Sequence, residues 1–159
     1  MAQRSLHWPA ASEEALRAEL AGYLKEASLP TCSVRVFWKT GPEYVFAGCN
    51  EHFAHDAGLA TAADLIGLND FHAKMPWQAQ AAKYRYDDKE VVDSGIANLD
   101  ILERQNSATG VVWVLVGKAP IRSTSGPHLG VFGMYELIEH ERATKLYMER
   151  SKKAAPPTR

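Results

Sequence analysis

The chain has 159 residues, 46% hydrophobic and 23% charged, with a net charge of -1. That length suits one domain with a real core, and that composition is globular, neither disordered nor membrane-spanning. Balanced charge gives no long-range pull toward nucleic acid or an anionic membrane, so neither is expected as a partner. Two cysteines, Cys32 and Cys49, make no disulfide framework, and MAQRSLHWPAASEE lacks the apolar run of a signal peptide, so a cytoplasmic location is expected.

The first predicted element is a helix over residues 12–27, with Ser12 as N-cap and Leu16, Leu20, Tyr23, Leu24 and Ala27 on one face. Ser28-Leu29-Pro30 ends it. SVRVFWK (33–39) and EYVFAG (43–48) flank a Thr40-Gly41-Pro42 turn and predict a β-hairpin. Short helical pieces follow between Asn50 and Lys74. A longer helix is predicted from Trp77 to Ser94, stopped by Gly95. The period then changes to that of strands at 97–105, 111–121 and 128–137, separated by NSATG and RSTSGP. A last helix, 138–152, is expected to leave the domain and end in a frayed Ala-Ala-Pro-Pro-Thr-Arg tail. Two strands, a helical insert and three strands predict an α+β fold: a five-stranded antiparallel sheet with helices on one face and flanking helices at both ends.

In that order the chain carries Cys49-Asn50 with Phe53-Ala54, then Leu65-Ile66-Gly67, Pro76-Trp77, and Tyr84-Arg85 with Asp87, Asp88, Val91, Ser94 and Gly95. Trp113, Lys118, Pro120-Ile121-Arg122, Gly130-Val131 and Gly133 follow. This ordered set, over residues 34–142, resembles a PAS domain of the kind found in bacterial sensor kinases, cyclases and regulators. The resemblance divides the chain into an N-terminal flanking helix (1–30), a PAS domain (31–137) and an exit helix with a disordered tail (138–159). It implies a non-catalytic sensory or interaction module, which binds a small molecule between sheet and helices and passes a signal to a histidine kinase, cyclase or regulator. The family's closing D-I-T is replaced here by Leu137-Ile138-Glu139, which removes the usual polar link to the output helix.

Inward-facing residues taken from the resemblance give a ligand pocket of Trp77, Tyr84, Ile101, Glu103, Val114, Val116 and Tyr135. It is expected to be mostly apolar, with Glu103 and Tyr135 orienting the ligand or bonding to each other or to backbone, and with Gly133 leaving room beside Tyr135. Haem-binding members hold iron through a pocket histidine, and His72, with Met75 nearby, is the best candidate for a haem-based gas or redox sensor. A flavin adduct is not expected, because GLNDFHAKMPW has no cysteine.

Two other clusters are weighed on their residues. His52 and His55, three apart with Asp56, Asp64 or His72 in reserve, could begin a metal site, but a short solvent-facing helix with one polar side accounts for them. Asp87, Asp88 and Glu90 lie among Arg85 and Lys89, and adjacent helical residues point about 100° apart, so a solvated, salt-bridged face is expected. There is no phosphate loop, nucleophile elbow or Cys-His pair of catalytic spacing. The apolar face of helix 12–27 predicts a homodimer through that helix.

Overall fold

A computed structural model describes residues 8–10, 28–123 and 128–154. The predicted hairpin forms β2 (Arg35–Thr40) and β3 (Val45–Cys49), with Phe37 opposite Cys49 and Thr40 opposite Val45. Gly41 supplies the left-handed conformation of the turn, with φ 75°. Helix α1 (Glu51–Asp56) is capped by the Asn50 side chain, which accepts from the backbone N–H of Phe53. A 3-10 turn at Ala62–Leu65 and an irregular stretch lead to a second 3-10 turn, Gln78–Gln80, and to helix α2 (Ala81–Ser94).

The α-helix thus begins four residues later than Trp77. The Gln80 side chain is spent on the sheet, donating to the carbonyl of Arg104 at 2.6 Å and accepting from the N–H of Asn106 at 2.9 Å. At the other end Gly95 has φ 68° and donates to the carbonyl of Val91. Only a residue without a Cβ takes that stop cheaply.

Strands β4 (Asn98–Ser107), β5 (Gly110–Ser123) and β6 (His128–Ile138) complete an antiparallel sheet in the order β4-β5-β6-β2-β3. The expected α+β arrangement is present, with α1, α2 and the short turns on one face. A strand that the sequence reading did not foresee, β1 (Trp8–Ala10), runs parallel to β5 and pairs Trp8 with Ile121. The predicted helix 12–27, and with it the dimer contact assigned to it, lies outside the described residues, as does the tail 155–159.

Side chains alternate across β2, and two cores result. Phe37 joins Phe46, Phe53, Trp77, Val116 and Tyr135 on the inner face, beneath the helices. Val36 and Trp38 join Ala47, Ile121 and Phe132 on the outer face. Two glycines permit the close ring packing. A Cβ on Gly48 would stand 2.0 Å from the Trp38 ring, and one on Gly133 would stand 2.2 Å from the Phe37 ring.

The exit helix α3 (His140–Ala154) does not leave the domain. Its Ala143 is fully buried, its Tyr147 ring lies 6.3 Å from that of Trp113, and Arg150 reaches Asp100 at 2.6 Å. Trp113 alternates with the inward Val114, so α3 folds back on the outer face beside β4 and β5. Among the described residues no helix is long and apolar enough to cross a membrane.

Candidate functional site

Alternation along three strands brings charge into the inner core. On β2 the position two after Phe37 is Lys39; on β5 the position two after Val116 is Lys118; on β4 the inward residues are Ile101, Glu103 and Gln105. From above, α2 contributes Tyr84 and, one turn on, Asp88. Asp70 and Trp77 arrive on the irregular stretch before it.

These groups form a connected set. Lys39 is 1% exposed, and its Nζ donates to Asp70 Oδ2 at 2.5 Å and to Asp88 Oδ2 at 2.6 Å. Lys118, 3% exposed, donates to the other oxygen of Asp88 at 2.6 Å. The indole N–H of Trp77 donates to Asp70 Oδ1 at 2.8 Å. Two ammoniums and two carboxylates therefore balance inside the core. Burial alone would drive Lys39 toward its neutral form, but Asp70 and Asp88 outweigh it and hold its pKa above that of a free lysine. Burial likewise opposes the charge on Asp88, and Lys39 and Lys118 prevail, lowering its pKa.

A second chain runs beside this quartet toward the surface. Gln105 Nε2 donates to the Tyr135 hydroxyl at 3.1 Å, that hydroxyl donates to Asp56 Oδ2 at 2.7 Å, and Arg35 closes on Asp56 at 2.9 Å. Burial, then the charge of Asp56, raises the Tyr135 pKa well above the ordinary phenol value. Glu103 pairs with Lys83 at 3.0 Å.

Lys39, Asp70 and Lys118 of the quartet and the rings of Phe37, Phe46, Phe53 and Trp77 surround a cavity of about 30 Å³, room for one or two waters. Of the residues expected in a pocket, Trp77, Tyr84, Glu103, Val116 and Tyr135 line it. Ile101 and Val114 belong to the packed core beside it. Tyr135 and Glu103 do not bond to each other, and the space expected beside Gly133 is filled by the Phe37 ring.

The cavity is mostly apolar, as expected, and Lys39, Asp70, Gln105 and Lys118 join Glu103 and Tyr135 as polar groups in its lining. Asp88 is corrected, being fully buried between two lysines. Its neighbours fit the expected solvated face, with Asp87 held by Lys83 at 2.9 Å and Lys89 pairing with Asp93.

His72 is outside the cavity, its Nδ1 accepting from the N–H of Lys74 at 3.1 Å. Neither its position nor 30 Å³ fits haem ligation. His52 Nε2 lies 2.9 Å from the Leu29 carbonyl, and among the described residues no three His, Cys, Asp or Glu converge on a metal position. Cys49 is a packed thiol whose pKa burial pushes up to about 12.

No protein-family model and no curated protein matches the sequence. Solved structures do match. VqmA bound to DPO superposes with a TM-score of 0.64 at 24% identity, covering 75% of this chain and 57% of that one. The Vibrio cholera VqmA–ligand–DNA complex gives 0.65 at 21% identity, covering 88% and 61%. The PAS domain of a Colwellia psychrerythraea protein gives 0.56 at 12% identity, covering 75% and 97%. This chain has the PAS fold.

The near-complete coverage of the isolated Colwellia PAS domain marks how much of the present chain is that fold. It spans only about half to two thirds of the VqmA chains. The presence of DNA in one of those complexes overturns the expectation, drawn from net charge, of no nucleic-acid partner. A near-neutral balance over 159 residues bears on steering by this chain alone, and a PAS fold can stand in a DNA complex whatever its own charge.

Proposed function

We propose that this chain is a PAS sensory module that takes a small molecule into the cavity between sheet and helices and passes the change to a partner. The reading rests on the Lys39-Asp70-Asp88-Lys118 quartet. A core needing only stability is better filled by apolar side chains, since two buried ion pairs rarely repay their desolvation. Polar groups converging on a ring-lined cavity are what ligand recognition requires. VqmA, which shares the fold and is solved bound to DPO, supports a small-molecule ligand for a chain of this fold.

The test is a thermal-unfolding screen of the purified chain against small metabolites, DPO included. A ligand is expected to raise the midpoint in wild type and to lose that effect in Lys118→Met. A second reading, an interaction module filled by its own side chains, is favoured by the small cavity volume. A screen in which no compound stabilises the protein would sink the first reading and leave the second.

The signal would leave through α3, which is in contact with β5, to a kinase, a cyclase or a DNA-binding regulator. Assembly as a homodimer is part of the proposal, and a monomeric mass at micromolar concentration in light scattering would refute it. Protein purified without added cofactor is expected to show no Soret band in the visible absorption spectrum.

A further inference from the structure

The two carboxylates of the quartet differ in how they are held. Asp88 is fixed on α2, fully buried, with a lysine on each oxygen. Asp70 comes from the irregular stretch between the Ala62–Leu65 turn and Trp77, and its neighbours in that strap, Ile66 and Phe71, are 47% and 41% exposed. The strap is pinned at one end, where Gly67 donates to the Phe46 carbonyl and Phe46 donates to that of Leu68. Past that point it is held over the cavity by Asp70 and the buried Met75 inside and, outside, by the Arg85 guanidinium 4.4 Å from the Phe71 ring and by Gln78, which donates to the Phe71 carbonyl at 2.8 Å.

One donor that meets Asp70 belongs to another element and the other stands at the strap's far end. Lys39 Nζ on β2 takes one oxygen at 2.5 Å, and the Trp77 indole N–H takes the other at 2.8 Å. Together they make a two-point carboxylate clamp. If Asp70 swings out, Lys39 and Lys118 share Asp88 alone, and one positive charge in the core is uncompensated. An incoming anion restores the balance; a neutral molecule does not.

Resting on the sensory reading above, we propose that Asp70 is an internal stand-in for the carboxylate of the ligand. A small carboxylic acid, bound as its anion, takes Asp70's place on Lys39 Nζ and Trp77 Nε1 and displaces the part of the strap around Asp70, between the pinned Leu68 and the buried Met75. The 30 Å³ cavity is then the closed state, with the site occupied by the protein's own carboxylate. The rings of Phe37 and Phe53, next to the clamp, suit a planar body on the acid.

Asp70→Ala empties the clamp and allows chemical rescue. In that variant acetate and benzoate are expected to bind roughly tenfold or more tightly than acetamide and benzamide, and than they bind wild type, as a charge-assisted pair demands. Bound acetate should return the Trp77 indole N–H resonance, assigned with Trp77→Phe, toward its wild-type position. Equal affinity for acid and amide, or acid affinity unchanged by the substitution, overturns the proposal. Asp70→Asn keeps the side chain's size without its charge and is read the same way should the alanine variant fail to fold. A metabolite that is neutral and binds wild type and Asp70→Asn equally also overturns it, while leaving the sensory reading intact. That reading fails separately, when no metabolite stabilises the wild-type chain.

Discussion

On the outer face of the sheet Val36, Trp38, Ala47, Ile121 and Phe132 pack with no charged group among them, while on the inner face the same strands bury Lys39 and Lys118 with their carboxylates. Both faces are built by β2, β5 and β6, and both seat a large ring over a glycine. Among the described residues the outer cluster is apolar, and the Arg150–Asp100 pair on that face is exposed. The inner face adds charges whose worth depends on every partner staying in place. Removing a group from either face costs stability, but only on the inner face should the cost depend on pH.

The largest effect is expected from Asp88→Ala, which leaves the buried Lys118 ammonium without its carboxylate and Lys39 with Asp70 alone. A loss of about 3–5 kcal/mol in urea unfolding would fit; a loss under about 1 kcal/mol would mean that water reaches the quartet. Trp38→Ala, on the outer face, opens a cavity and should cost about 3–5 kcal/mol, with the same cost at about pH 3 as at neutral pH.

The pH dependence sharpens the contrast. Asp88 has its folded pKa lowered below the ordinary value, so its contribution is complete above about pH 4 and is lost as the pH falls further toward the folded value. Lys39 has its folded pKa raised, so its share is complete below about pH 10 and fades only as the pH rises through the folded value. The quartet's contribution to the thermal midpoint should be flat between these limits and fall in acid, so the acid loss is less steep in Asp88→Asn than in wild type.

Gly133→Ala, whose Cβ would stand 2.2 Å from the Phe37 ring, should cost about 1–3 kcal/mol by overpacking. The smallest effect belongs to Arg150→Ala on α3. Its pair with Asp100 is exposed and should be worth under about 1 kcal/mol. A larger loss on calorimetry would show that the helix is clamped to the outer face more firmly than its contacts suggest.

The alternation that predicted strands was enough for the fold. SVRVFWK and VVWVLVG have the period of sheets, and the Gly95 stop fell where expected. The start of α2 was not legible, because Gln80 is committed to the backbone of β4, a contact 24 residues away in sequence. The site was half legible. The same alternation that puts Val114 and Val116 inward carries on to Lys118, and Phe37 carries on to Lys39, yet a lysine at a strand position looks like an exposed one until its partners are known. Asp88 was misread because its neighbours Asp87 and Lys89 do face solvent; one residue further round the helix meets two lysines from strands 49 and 30 positions away. Asp70 gave no local signal, since its position depends on Trp77 and Lys39 together.

Strand β5 is 14 residues long, and its one edge is shared between β4, as far as Lys118, and β1, from Ile121 on. It therefore touches three stations on a single stiff rod: the Tyr147 contact of α3 at Trp113, the cavity at Val116 and Lys118, and the entering chain at Ile121. At about 3.3 Å per residue, the first and last lie roughly 26 Å apart. A push on Lys118 along the strand would reach both chain ends at once, so whatever is fused or bound at either terminus would feel the cavity through the same lever.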